Sequence, residues 1–119
     1  MPTDKAIAEV EELKSVLNEA KLIISTDYRG LNVTELSGLR RAIREAGGSY
    51  RVAKNSLVKI ASEEIDRPEI SEIVVGPTGF VLSIDDPVGP TRALMTHITE
   101  NRLDVVVNGA YLEGQLVDA

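Results

Sequence analysis

Twice along this chain a short β-branched run passes into an amphipathic helical pattern and returns to another apolar run, and this alternation restricts the fold more than any other feature. The first run, Leu22-Ile23-Ile24-Ser25-Thr26, predicts a strand covered on both faces. Tyr28-Arg29-Gly30 is its exit loop. Thr34 is expected to cap a helix whose Leu36, Leu39, Ile43 and Ala46 face a core. Gly47-Gly48 ends that helix, and Ser49 to Ala53 is the second strand. Asn55 or Ser56 opens a helix carrying Leu57, Ile60 and Ala61, broken by Arg67-Pro68.

The second unit starts at a third strand, Thr78 to Ile84. Asp85-Asp86-Pro87 turns the chain into a helix running to about Asn101, and Leu103 to Val107 is the fourth strand. Between the units, Ile70, Ile73 and Val74 fit one helical turn closed by Val75-Gly76-Pro77. After them, Asn108-Gly109 signals either a tight hairpin or a bulge before Tyr111 and Leu112. Upstream, Thr3 or Asp4 caps a first helix that is apolar at Ile7, Val10, Leu13 and Leu17, to about Ala20.

Right-handed crossovers in both units predict an α+β sandwich of the ferredoxin-like split βαβ kind. Its four-stranded sheet would come from the two βαβ units, with an N-terminal helix and an extra helix added. An open doubly wound sheet is the alternative. No linker, repeat or low-complexity stretch interrupts the chain, so residues 1–119 are expected to form one domain. No apolar run nears the ~18 residues of a membrane span, and the N-terminus is too charged for a secretory signal.

The net charge of −6 conceals a strong asymmetry. Between positions 29 and 59 lie seven of the thirteen basic residues: Arg29, Arg40, Arg41, Arg44, Arg51, Lys54 and Lys59. Only Glu35 and Glu45 oppose them, leaving the remaining residues strongly acidic. A local basic stretch in an acidic chain predicts a polyanion-binding face. Lys54-Asn55-Ser56 sits where a strand enters a helix, so free backbone N–H groups and the positive dipole end would meet an anion beside a lysine. Arg40, Arg41 and Arg44 are expected on one helix flank. Tyr28, Arg29 and Gly30 close the first strand at the sheet end where α/β ligands gather. The candidate polyanion-binding set, for which RNA is the expected ligand, is Arg29, Gly30, Arg40, Arg44, Arg51, Lys54, Asn55, Ser56 and Lys59.

Other chemistry finds little support. There is no cysteine, and the one histidine, His97, has no candidate partner nearby in sequence, so no metal and no cofactor are expected. Asp85-Asp86-Pro87 could suggest a phosphoacceptor of the receiver type. Such a site wants its acids after the first strand and a lysine late in the chain, whereas the last lysine here is Lys59. Gly76-Pro77-Thr78-Gly79 lacks phosphate-loop spacing. With no nucleophile–base pair, no catalytic residue is assigned and the chain is not expected to be an enzyme.

In order along the chain, Asp27-Tyr28-Arg29-Gly30-Leu31-Asn32-Val33, Leu39-Arg40-Arg41 with Arg44, Lys54-Asn55-Ser56-Leu57, Gly76-Pro77-Thr78, Asp85-Asp86-Pro87-Val88 and Gly109-Ala110-Tyr111-Leu112-Glu113-Gly114 resemble the N-terminal domain of the large-subunit ribosomal protein ten family. The family usually has threonine where Ser56 stands. The resemblance implies a non-enzymatic scaffold of the large ribosomal subunit, in the cytoplasm or an organelle and not in a membrane. It implies that large-subunit ribosomal RNA is bound at the stalk base, beside ribosomal protein eleven. In the family a C-terminal helix anchors dimers of the acidic stalk protein seven/twelve, which recruit translation factors. This sequence stops at Ala119, about where that helix should begin, so stalk-protein recruitment is not expected of these residues alone.

Overall fold

Helix α1, Asp4–Glu19, buries Val10, Leu13 and Leu17 as one stripe, because residues three and four apart share a helix face. Ile7, predicted to dock with them, is instead about half exposed, one turn before the stripe begins. The computed structural model describes residues 4–74, 76 and 78–117; Thr3, Val75, Pro77 and Ala119 of the sequence readings lie outside them.

Strand β1, Leu22–Asp27, leads to helix α2, Val33–Glu45, strand β2, Ser49–Ala53, and helix α3, Asn55–Glu64. A 3₁₀ turn, Pro68–Ile73, then precedes strand β3, Thr78–Ser83, helix α4, Val88–Asn101, strand β4, Val106–Leu112, and strand β5, Gln115–Val117. The sheet order is β2-β3-β1-β4-β5, with each neighbouring pair antiparallel. Each βαβ crossover therefore skips a strand: β3 lies between β1 and β2, and β1 between β3 and β4. That is the split arrangement the segment order predicts. The extra strand, β5, folds back through Glu113 and Gly114. Both have positive φ (48° and 88°), as a tight two-residue hairpin turn requires.

The central strands β1 and β3 are buried almost throughout, as expected for strands covered on both faces. One core cluster joins α1, α3 and the 3₁₀ turn to one sheet face through Leu13, Leu17, Ile23, Val58, Ile70 and Phe80. The other joins α2 and α4 to the opposite face through Leu22, Ile24, Leu39, Ile43, Tyr50 and Leu94. In α3 the core positions are Val58 and Ala61, while Ile60 points outward at 43% exposure. A helix beginning at Asn55 places 58 and 61 inward and 60 on the flank.

Two local readings are corrected. Asn32, not Thr34, caps α2: its Oδ1 accepts the Glu35 amide at 2.8 Å while Glu35 Oε1 accepts the Asn32 amide at 3.0 Å. The fourth strand begins at Val106 rather than Leu103, because the Leu103 amide still donates to Ile98 O and closes α4. Asn108-Gly109 proves to be a bulge. Ser25 pairs with Gly109 and Thr26 with Val107, leaving Asn108 unmatched, so β4 runs on to Leu112.

Beneath α2 a buried hydroxyl chain ties β1, β2 and β3 together. Thr26 Oγ1 donates to Gly79 O at 2.7 Å, so its lone pair must accept the Tyr50 hydroxyl 2.8 Å away. Burial pushes the Tyr50 pKa above its ordinary 10.0, and burial with the hydrogen bond to Glu69 does the same for Tyr111. A group whose folded pKa is raised contributes stability in full below its unfolded pKa and loses it as pH rises through the folded one. The urea midpoint is accordingly expected to hold up to about pH 9 and to fall above pH 10. The Tyr50→Phe/Tyr111→Phe variant should show a flatter alkaline limb.

Candidate functional site

The ends of β1 and β2, with the loop entering β3, frame a cleft of about 580 Å³ lined by Tyr28, Val52, Ala53, Lys54, Asn55, Ser56, Gly76 and, from α1, Glu9. They converge because β1 and β2 run parallel with β3 between them, so both exit loops leave the same end of the sheet. Helix α3 begins at this cleft with Lys54 as its first flanking residue, and no side chain caps it. The other helix starts differ: α2 has its reciprocal Asn32–Glu35 pair, and the Asp86 carboxylate accepts the Val88 and Gly89 amides at the start of α4. Among the described residues, the Asn55 and Ser56 amides therefore donate to nothing and face the cleft with the helix dipole behind them.

Lys54, Asn55 and Ser56 are exposed, and neither Lys54 nor Lys59 has an ion-pair partner among the described residues. Lys59 lies one turn along α3, near an adjoining depression shared with Asn55, Ser56, Ser71 and Val74. Arg29 reaches the cleft's rim, with Nη1 4.0 Å from where a Cβ on Gly76 would stand. Its guanidinium is engaged, however. Nε donates to Asp27 Oδ1 at 2.9 Å and Nη2 to Asp27 Oδ2, while the Arg29 amide also donates to Oδ1. These bonds hold the Asp27 carboxyl down to a pKa of about 2.

Arg40, on the other face of the sheet, stands close enough to Tyr50 for its charge to oppose the rise in that hydroxyl's pKa. Arg44 shares Arg40's flank, one turn farther toward the start of β2. It lies roughly 15 Å or more from Lys54, the length of a five-residue strand. Arg41, three residues before Arg44 and likewise exposed, borders the same flank. Arg51, on the edge strand, has Nη1 2.7 Å from Glu12 Oε1 of α1, which lowers the Glu12 pKa, while its buried Nε has no partner among the described residues. Gly30 is exposed at the turn, and a Cβ there would lie 2.7 Å from Asp104 O and against the Asp104 carboxylate, so a small residue suits the loop packing on that side.

The structure thus gathers Arg29, Lys54, Asn55, Ser56 and Lys59 at one end of the sheet. Arg40 and Arg44 lie on a second layer, and Arg51 beside α1. Sequence reasoning missed the acids the fold brings to this end: Glu9 in the cleft, Glu12 on Arg51 and Asp104 against the Tyr28–Gly30 loop. Glu9 and Glu12 at helical spacing on α1 were the available signal, but only docking of α1 reveals what they face. Among the described residues, no helix is long and apolar enough to cross a membrane.

Comparison with known proteins converges on one family. The family model described as ribosomal protein L10 matches residues 1–97. A large ribosomal subunit protein uL10 of Thermomicrobium roseum is 36% identical over 119 residues, covering 100% of this chain and 66% of that protein. Its counterpart in Dehalococcoides mccartyi is 39% identical over 108 residues, 91% of this chain and 61% of the relative. In Desulfatibacillum aliphaticivorans the identity is 39% over 117 residues, 98% of this chain and 66% of the relative. The chain therefore spans about two thirds of the length of the curated relatives it matches.

Proposed function

The chain belongs to the ribosomal protein L10 family, whose members are structural proteins of the large ribosomal subunit and not enzymes, and from that premise we propose that it grips large-subunit ribosomal RNA at the cleft where α3 begins. One observation carries the reading. The only uncapped helix start among α2, α3 and α4 opens between two lysines that have no ion-pair partner among the described residues, in a chain whose net charge is −6. A phosphate there would accept from the Asn55 and Ser56 amides and take a point charge from Lys54, with Lys59 one turn away. Tyr28 on the opposite wall offers a ring to an unstacked base.

An acidic protein repels RNA unless binding is local, so the contacts are few and read shape more than sequence. Arg29, Arg40, Arg44 and Arg51 would supply the outer phosphate contacts. Ribosomal protein eleven would be the neighbour at the stalk base. Recruitment of stalk-protein seven/twelve dimers belongs to the C-terminal helix of the family, outside the cleft.

Titration into a stalk-base RNA fragment at several salt concentrations tests this reading. With about four to six phosphates neutralised, log K is expected to fall against log salt with a slope of roughly −3 to −5. Lys54→Ala should remove about one unit of that slope and on the order of 1–2 kcal/mol of affinity. Arg92→Ala, an exposed site on α4, is the control. It is cleaner than Lys14, which is paired with Glu11 and Glu64, or Arg102, whose φ is 49°. Equal losses for Lys54→Ala and Arg92→Ala would mean diffuse attraction and would refute the site.

A further inference from the structure

We propose that Asp27 and Glu12 hold the seats of two RNA phosphates in the free protein, each engaging an arginine that is released to the RNA on binding. The inference rests on the RNA-binding reading above and adds a regulatory step to it. Asp27 fits the Arg29 fork as a phosphate would, with two carboxylate oxygens against Nε and Nη2. Glu12 comes from a different element, 39 residues from Arg51 in sequence, and meets it end-on at 2.7 Å. The buried Arg51 Nε has no partner among the described residues, so Glu12 engages only one end of the guanidinium.

Placement favours exchange. Arg29 stands at the cleft rim beside Gly76. Glu12 lies one helical turn from Glu9, which lines the cleft, and Arg51 lies three residues before Lys54 on the strand leading into it. The Arg29 and Glu12 side chains are about 60% exposed while Asp27 and Arg51 keep 21% and 27%, so solvent reaches one side of each pair. The end-on Glu12–Arg51 pair is of the kind worth little on a surface, while the bidentate Asp27–Arg29 fork would be exchanged for an equally bidentate phosphate. The free chain thereby presents fewer bare cations than its sequence suggests. Loose, diffuse attraction is weakened, while an RNA able to displace both carboxylates at once is still bound.

The test measures the affinity of the full chain for stalk-base RNA with Asp27→Asn, Glu12→Gln and the control Glu19→Gln. Asparagine at 27 keeps an acceptor for the Arg29 amide, so the loop is retained. Asp27→Asn and Glu12→Gln are each expected to tighten binding about two- to fivefold and to steepen the salt slope by nearly one unit, with Glu19→Gln close to wild type. The Glu12→Gln gain should vanish in an Arg51→Ala background, a coupling that general removal of negative charge would not show. Unchanged or weakened binding in both variants, or a gain that survives Arg51→Ala, overturns the exchange. If Lys54→Ala still weakens binding in that case, the RNA site stands and the exchange alone fails. If Lys54→Ala has no effect, both are wrong.

Discussion

Replacing Gly79 by alanine is expected to lower the stability of the fold by about 3 kcal/mol, on the order of a 10 °C fall in Tm. Gly79 lies in the fully buried strand β3, and the Tyr50 ring lies across it from the neighbouring edge strand. A Cβ at position 79 would overlap the Tyr50 hydroxyl and ring, with Cε2 only 2.8 Å away. The ring cannot simply lift, because its hydroxyl donates to Thr26 and the ring is packed among Leu39, Ile43 and Val81. Overpacking and loss of a buried hydrogen bond therefore add. A chemical-denaturation cycle checks the cause: the Gly79→Ala/Tyr50→Ala double variant should lose at least about 1 kcal/mol less than the two single losses combined. Additive losses would mean that the ring is not what Gly79 accommodates.

The second large effect concerns binding. Reversing both free lysines, in Lys54→Glu/Lys59→Glu, should cut affinity for stalk-base RNA about a hundredfold or more and flatten the salt slope by about two units. Stability should change little, since both side chains are exposed and unpaired among the described residues. An acidic residue at the start of α3 suits the helix dipole, so any change there is expected to favour folding. Binding and folding should thus separate in a single variant. A melt that collapses with the affinity would mean that the lysines are structural.

The strand order was legible because helical and β-branched patterns alternate cleanly from Leu22 to Asn101, and only a few topologies accept that order. Strand β5 was not, for Gln115–Val117 is too short to show a period and depends on the positive φ of Glu113 and Gly114. Asn108-Gly109 left hairpin and bulge open, and pairing with β1 decided it: register is a tertiary property. The basic stretch was legible as composition, and Lys54-Asn55-Ser56 as a strand-to-helix junction. What charge counting could not supply was the pairing of Arg29 with Asp27, just outside the counted window, and of Arg51 with Glu12, far outside it. Gly30 shows the same limit. The space on its Cβ side is taken by Asp104, an acid far along the chain that charge counting does not place there.

The central claim, that RNA docks at the opening of α3, is tested most directly by following backbone amide resonances during titration with stalk-base RNA. The Asn55 and Ser56 amides should shift first and furthest, because they have no partner among the described residues in the free chain. Arg29, Lys54 and Gly76 should follow, while Met95, Thr96, Thr99 and Glu100 on the outer side of α4 stay in place. Shifts centred on α4, or spread evenly over the surface with Asn55 and Ser56 unmoved, would contradict the account.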